Sequence, residues 1–431
     1  MTASAKPQMI GFWMTAALVV GTIIGSGIFM LPVSLAPLGR NALIGWVISG
    51  VGILCIAYGL ARLSRLGGDG IQANVEKEYG PTVAFLVAWS FWVSNWVAQA
   101  AVAVAAAAAL SFVSPALGGE AAIVPMAIGW LVLLTAINAA GVRAAGSFSI
   151  VTVAIKLIPL LAVVFLFAER GVTGGTFEPL APLPVNFANI ATATALTFFA
   201  FTGFETATTP VGKVRDPERT IPRALIGGTA FVVVLYLIAG TAIQMLLPTS
   251  AIVASPAPFA DALVSRWGNT AATVSALTLA VAAIGCLNGL ILGTGELGYA
   301  MALRGEMPKA MTKTRGSNTP VVAQIVATVL SVILLLANSS RATAHLFTFI
   351  ILLSTAAMVL VYLTSALAAW RCSPAPAQRL LIAGAVLFIA FATYGIGLEA
   401  SLWCLVLLAI GLVVRAVMFR LNRLSAVSTT Q

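Results

Sequence analysis

This sequence is poor in charged residues. Only 8% of its 431 residues are Asp, Glu, Lys or Arg, whereas soluble proteins carry about 25%. It has one histidine and four cysteines, and no two cysteines form a CxxC pair. These shortages exclude a soluble globular protein and argue against a disulfide framework, a metal site or a cofactor. With 60% hydrophobic residues and a mean hydropathy of +1.04, the chain is predicted to be an all-α polytopic membrane protein.

The hydropathy pattern predicts twelve transmembrane spans. They lie at about 10–36, 42–62, 83–110, 121–140, 147–168, 187–209, 224–246, 271–303, 320–337, 342–370, 380–397 and 400–418. If the N-terminus is cytoplasmic, 18 of the 23 Lys and Arg residues fall on the cytoplasmic side, four fall on the other side, and Lys156 lies within a span. The positive-inside rule therefore predicts cytoplasmic termini in the inner membrane. The net charge of +10 is interpreted as a topology signal and not as a sign of nucleic-acid binding.

The first span carries an unusual cluster of small residues. Gly25, Ser26 and Gly27 fall near the middle of a membrane-length apolar segment, and glycine weakens a helix interior by about 1 kcal/mol relative to alanine. Broken backbone survives within a membrane only where it is buried in protein or lines a cavity. The cluster therefore predicts a broken helix. Its free carbonyls and amides would face a ligand that carries both an ammonium and a carboxylate. The alternative is a small-residue contact that lets a neighbouring helix approach closely.

The sixth span repeats this feature. Its sequence from Phe198 to Glu205 again places a glycine and small residues within an apolar run. Interrupted helices at matching places in two halves indicate an inverted repeat with a midplane site. The predicted organisation is a cytoplasmic N-terminus (1–9), a five-helix repeat (10–168), a second five-helix repeat of inverted topology (187–370), two further helices (380–418) and a cytoplasmic tail (419–431).

Three charged residues lie inside predicted spans. Lys156 is about 20 Å of helix from either end of its span, and such a lysine is costly unless it is paired, solvated or deprotonated. It either couples transport to protons or braces the broken first helix. Glu205 and Glu296 each lie about 12 Å from a helix end, and each can serve as a proton acceptor, a gate or a hydrogen-bond hub. No nucleophile and base accompany them, so an enzyme is not expected.

Polar uncharged residues interrupt two other spans. Ser94, Asn95 and Gln99 share helical spacing on the third span, and Ser354 and Thr355 lie on the tenth. These side chains either face the cavity or hydrogen-bond to neighbouring helices.

Together these motifs resemble the amino acid–polyamine–organocation transporters, and in particular the bacterial basic amino-acid exchangers such as the arginine/agmatine antiporters. The similarity covers nearly the whole chain. It is carried by segments in the first, sixth and eighth spans and in two loops: Gly21–Phe29 with Pro32, Gly203–Glu205, Asp216–Arg223, Tyr299–Ala302 and Gly305–Pro308. It implies the leucine-transporter-type fold, with discontinuous helices 1 and 6 and alternating access.

The resemblance also implies roles for individual residues. The amides of Ser26 and Gly27 would hold a substrate carboxylate and the carbonyl of Ile23 its ammonium. Phe199 would cap the ligand, and Glu205 would help to close the cavity. The full set expected to bind substrate is Thr22, Ile23, Gly25, Ser26, Gly27, Asn95, Gln99, Phe199, Thr202, Glu205 and Ser354.

Lys156 resembles the fifth-helix lysine that takes the place of a sodium ion in sodium-independent members. Two departures put arginine specificity in doubt: the eighth span has no tryptophan to stack on a guanidinium, and Gln99 replaces the third-helix asparagine.

The expected function is sodium-independent transport of amino acids, by exchange or by proton coupling. The alternatives are a polyamine or amine exchanger and a non-transporting amino-acid sensor of the same fold. The expected partners are a small-molecule substrate, either an amino acid or an amine product of a basic one, and the lipid bilayer. A homodimer is one possible assembly.

Overall fold

The computed structural model describes residues 11–25, 27–66, 70–114, 120–140, 145–205, 214–315 and 319–428. These ranges form fourteen α-helices joined by turns and short 3-10 segments. The helices are α1 (Phe12–Ile23), α2 (Gly27–Leu35), α3 (Arg40–Leu63), α4 (Ile71–Val113), α5 (Glu120–Ala139), α6 (Ala145–Val172), α7 (Phe187–Phe201), α8 (Pro217–Leu246), α9 (Thr249–Ala254), α10 (Pro258–Leu303), α11 (Val321–Ala337), α12 (Thr343–Arg371), α13 (Pro376–Ile396) and α14 (Leu398–Ser428).

The described helices confirm a multi-pass membrane protein. Eight of them are long and apolar enough to cross a membrane, and α1 with α2 makes a ninth if the bent pair is one span. Helices α7 and α11 are apolar but shorter. The predicted total of twelve spans therefore stays a prediction, as does the division into repeats and termini.

The first span is broken where the glycines predicted it. Helix α1 ends at Ile23 and α2 begins at Gly27, with a bend of 41° between the two segments. In the sixth span, α7 ends at Phe201 and a turn follows at 202–205. Residues 206–213 lie outside the described residues, and they include 206–209, the expected end of that span.

Two helical segments occupy regions that were expected to be loops. The segment 71–79 precedes Gly80, and the segment 258–267 precedes Gly268. Both glycines have positive φ, at 79° and 76°, which lets the chain turn sharply where a residue with a Cβ would be strained. Each short helix therefore leads directly into a membrane-spanning helix.

Helix α4 lies at the centre of the bundle. It packs against α10 and α12, with α5 and α11 alongside. Helix α3 packs against α7, α8 and α13, while α1 packs against α8 and α6. This arrangement places the break in the first span beside α6 and α7.

Candidate functional site

A cavity of about 420 Å³ lies at the break in the first span. Thr22, Ile23, Gly25 and Gly27 line it from the two sides of the break. Ser26, the remaining predicted residue of this segment, lies outside the described residues. The volume is within the range of small-molecule sites.

The backbone at the break has an irregular hydrogen-bond pattern. In a continuous helix the Gly25 N–H would donate to the Gly21 carbonyl, but here it donates to the Ile23 carbonyl over 2.7 Å. The Tyr236 hydroxyl also donates to Ile23 O, over 3.2 Å. The Ile23 carbonyl, which was expected to hold a substrate ammonium, therefore already accepts two hydrogen bonds, and a ligand must share or replace one of them.

Lys156 compensates for the displaced hydrogen bond. Its Nζ donates to the Gly21 carbonyl over 3.1 Å, and its side chain on α6 is only 6% exposed. The lysine therefore ties α6 to the end of α1. It also lines the cavity, so the side chain that supports the break is itself part of the wall of the site.

The end of α7 forms the opposite wall. Phe199, Thr202 and Glu205 all line the cavity. A Cβ placed on Gly27 would lie 2.8 Å from Phe199 Cε1, closer than carbon atoms pack. Glycine at position 27 is therefore what allows the Phe199 ring to lie against the start of α2.

The two interrupted spans meet at a second glycine. Gly203 has a φ of 113°, and a Cβ there would lie 2.6 Å from the Thr22 carbonyl oxygen. Thr202 ends α7 with its hydroxyl donating to the Phe199 carbonyl over 2.8 Å. The turn after α7 therefore packs directly on the backbone that ends α1.

Glu205 is held by backbone and side-chain donors. Its Oε2 accepts from the Gly203 N–H over 2.9 Å and from the Tyr362 hydroxyl over 2.7 Å. Glu205 is 4% exposed and Tyr362 is fully buried. Sequence reasoning missed Tyr362, because a tyrosine within an apolar span carries no signal of its partner 157 residues earlier.

Asn95 and Ser354 line the cavity from α4 and α12. Asn95 Nδ2 donates to the Phe91 carbonyl over 2.7 Å. The hydroxyls of Ser94 and Ser354 lie 2.9 Å apart, and each also donates to the other residue's carbonyl. These serines both line the cavity and join two helices, so the two alternatives of the sequence analysis hold at once.

Gln99 does not line the cavity in this structure, so its role in substrate binding stays a prediction without a supporting contact. It is fully buried, with Nε2 donating to Thr294 Oγ1 over 2.8 Å and to the Leu290 carbonyl over 3.3 Å. Its Oε1 accepts from Ser331 over 3.3 Å. These partners hold the amide between α4, α10 and α11, and Ala98 lines the cavity instead.

Glu296 also lies away from the cavity. It is exposed on α10 and is not among the lining residues. Helix α10 instead presents residues from Gly285 to Gly293 to the cavity, among them Cys286 and Asn288. Sequence reasoning missed this face, since glycine and cysteine in an apolar helix resemble ordinary packing residues.

Three buried residues lie two or three positions beyond the lining residues Gly27, Val102 and Gly285 along their helices: Phe29, Ala105 and Ala283. Together with Phe259, which packs against Phe29, we call them the cover layer. Ala105 lies about one turn beyond the lining residue Val102 on α4, and Phe29 packs edge-on against Phe259 at 5.4 Å between ring centroids. Arg266 and Glu169 form an ion pair at 2.6 Å, which joins the segment 258–267 to α6.

The side of the cavity away from the cover layer is less tightly packed. Three lining residues, Thr22, Gly289 and Gly293, are exposed, and all three lie on the side of the cavity away from the cover layer. The structure therefore presents a central site that is shielded at one end of the bundle.

Comparison with known proteins gives consistent results. The family model described as amino acid permease matches residues 10–428. A cadaverine/lysine antiporter of Escherichia coli is 28% identical over 359 residues, which cover 79% of this chain and 78% of the relative. The putrescine transporter PotE of Escherichia coli is 25% identical over 419 residues, covering 93% and 94%.

Among solved structures, MhsT in complex with L-phenylalanine aligns with a TM-score of 0.63 at 15% identity, covering 91% of this chain and 100% of that chain. The match confirms the leucine-transporter-type fold.

Proposed function

This chain belongs to the amino acid permease family, and we propose that it is a sodium-independent secondary transporter of amino acids in the bacterial inner membrane. It works by alternating access, either as an exchanger or coupled to protons, and it is not an enzyme. Both termini are cytoplasmic in this proposal, since that orientation places 18 of the 23 Lys and Arg residues on the cytoplasmic side.

The observation that carries the proposal is the hydrogen bond from Lys156 Nζ to the Gly21 carbonyl, beside the cavity. A cation at this point supports a helix end whose carbonyls carry partial negative charge. Because the ammonium is part of the chain, no bound sodium ion is needed to supply that charge.

The substrate site lies between the break and the end of α7. The amides that begin α2 favour a carboxylate, because the N-terminus of a helix attracts negative charge. The carbonyls that end α1 favour an ammonium. Phe199 lies against Gly27 at this place and supplies an aromatic surface over the ligand.

An exchanger of polyamines or other amines is the second candidate. It is favoured by the similarity to PotE, whose name describes a putrescine transporter. A diamine has no carboxylate, so it would leave the amides of α2 without the ligand group that they suit. Amino acids therefore fit the site better.

Uptake into proteoliposomes tests the proposal. The full-length protein is reconstituted and loaded with an unlabelled mixture of amino acids, and entry of labelled amino acids is followed in sodium-free and sodium-containing buffer. We expect equal uptake in both buffers, driven by internal substrate or by an imposed pH gradient. Uptake that requires sodium, or uptake of diamines alone, would contradict the proposal.

A further inference from the structure

The charged groups on the cavity wall balance one another. Among the lining residues that the structure describes, the charged side chains are Lys156 and Glu205. Lys156 donates to Gly21 O, while Glu205 accepts from Gly203 N–H and from Tyr362. A ligand with an additional positive charge would bring that charge into a cavity whose carboxylate already has donors, beside a lysine of the same sign. Burying such a charge without a partner is unfavourable.

The polar uncharged groups on the wall also have partners within the protein. Ser94 and Ser354 bond to each other. Asn288 Oδ1 accepts from Asn138 Nδ2 over 2.9 Å, and Asn95 Nδ2 donates to a carbonyl one turn away. Buried polar groups need hydrogen bonds, and each of these four side chains obtains at least one within the protein.

Space for a ligand side chain comes from a glycine face on α10. Gly285, Gly289 and Gly293 line the cavity at intervals of four residues, the spacing of one helix face. A Cβ added at Gly289 or at Gly293 would meet no heavy atom within 4 Å. No protein atom therefore fills the space beside these two lining residues.

The remaining walls are apolar. Helix α4 contributes Phe91, Ala98 and Val102, and α12 contributes Met358. Apolar ligand surface placed against such a wall leaves water and is stabilised in proportion to the area buried.

From these walls we infer that the transported substrate is a zwitterionic amino acid with a large, uncharged, apolar side chain that lies along the glycine face of α10. The inference rests on the proposed function and names its substrate class. It sets this chain apart from relatives whose names describe basic amino acids and diamines.

Ligand-dependent stabilisation of the purified full-length protein tests the substrate class. A ligand that binds only the folded protein raises its unfolding temperature. We expect phenylalanine, leucine and methionine to raise it at concentrations at least about tenfold below those needed for arginine, lysine, putrescine or cadaverine.

Tighter binding of a basic amino acid or a diamine would overturn the inference but leave a transporter. The absence of a shift with every amino acid and amine would overturn the proposed function itself, and the inference with it. The two failures are therefore distinguishable.

A size-selective variant tests the position of the side chain. Gly289→Val should weaken phenylalanine binding about tenfold or more, because the added methyl groups occupy the space for the ring. Alanine binding should change by less than about threefold, since its side chain does not reach that space. Gly129→Val on α5 is the matched control, because a Cβ at Gly129 also meets no atom within 4 Å and Gly129 does not line the cavity. Equal losses for alanine and phenylalanine in Gly289→Val would overturn the assignment of this face to the side chain.

Discussion

Lys156 Nζ and Gly21 O lie 3.1 Å apart, and this hydrogen bond replaces the one that the Gly25 N–H gives instead to Ile23. The relationship gives Lys156 a structural contact at the break. Proton coupling at Lys156 stays a prediction.

Replacing Lys156 separates a structural role at the break from a role in proton coupling. Lys156→Ala removes a charged hydrogen bond worth about 1.5–3 kcal/mol, so we expect a lower unfolding temperature and no pH-driven uptake. Lys156→Arg keeps the charge but resists deprotonation, so it should recover at least part of the stability without recovering pH-driven uptake. Lys309→Ala, at an exposed site, is the control. A fully active arginine variant with a normal response to the pH gradient would leave Lys156 as a brace alone.

Gly27 should be far less tolerant of alanine than Gly25. A Cβ at Gly27 would lie 2.8 Å from Phe199 Cε1, whereas a Cβ at Gly25 would lie 3.6 Å from Cys286 Sγ, an ordinary contact. Displacing the Phe199 ring costs about 1–3 kcal/mol, so Gly27→Ala should weaken substrate binding about tenfold or more, as measured by ligand-dependent unfolding temperature.

A second substitution checks the cause. Phe199→Leu removes the ring that Gly27→Ala would strike, so the two substitutions should be non-additive in a double-mutant cycle. Strict additivity would show that Gly27 acts independently of Phe199.

Tyr362→Phe should destabilise the protein through Glu205. The substitution keeps the ring that stacks on Phe204 at 5.6 Å between centroids but removes the hydroxyl that donates to Glu205 Oε2. Leaving a buried acceptor with fewer donors costs about 1–3 kcal/mol. In a Glu205→Gln background the same substitution should cost less. An equal loss in both backgrounds, measured by chemical unfolding, would refute the coupling.

The stability of the protein should depend on pH through Glu306. Burial raises the pKa of this carboxyl above its ordinary value of 4.5, while Arg304 and Gln72 oppose the shift. Glu306 therefore holds a proton more tightly in the folded chain than in the unfolded chain, and its contribution to stability falls as pH rises from 4.5.

The expected observation is a downward slope of unfolding temperature as pH rises above 4.5, and Glu306→Gln should make that slope shallower. Glu399→Gln is a control at an exposed carboxylate. An unchanged slope in Glu306→Gln would contradict this assignment.

The features that sequence predicted are those with a local cause. Gly25 and Gly27 weaken helix within a few residues, so the break at 24–26 follows from composition. The expected depth of Lys156 rests on helix length alone and stays a prediction, while its burial is observed. Both conclusions need no knowledge of which helices are neighbours.

The features that sequence did not predict depend on distant partners. Asn95 and Gln99 are one helical turn apart on α4, so periodicity places them on similar faces. Only Asn95 lines the cavity, because Thr294 and Ser331 hold the Gln99 amide away from it. Glu296 lies away from the cavity for a similar reason, because distance from a helix end says nothing about the direction in which a side chain faces.

The edge-on contact of Phe29 and Phe259 in the cover layer also bears on turnover. Such a pair is worth about 0.5–1.5 kcal/mol beyond its buried area. If it forms in only one of the two states of an alternating-access cycle, it changes the ratio of their populations by a factor of about 2 to 12. A ligand with equal affinity for both forms cannot change that ratio, however tightly it binds. Weakening this contact should therefore change the rate of the transport cycle more than the affinity for the substrate.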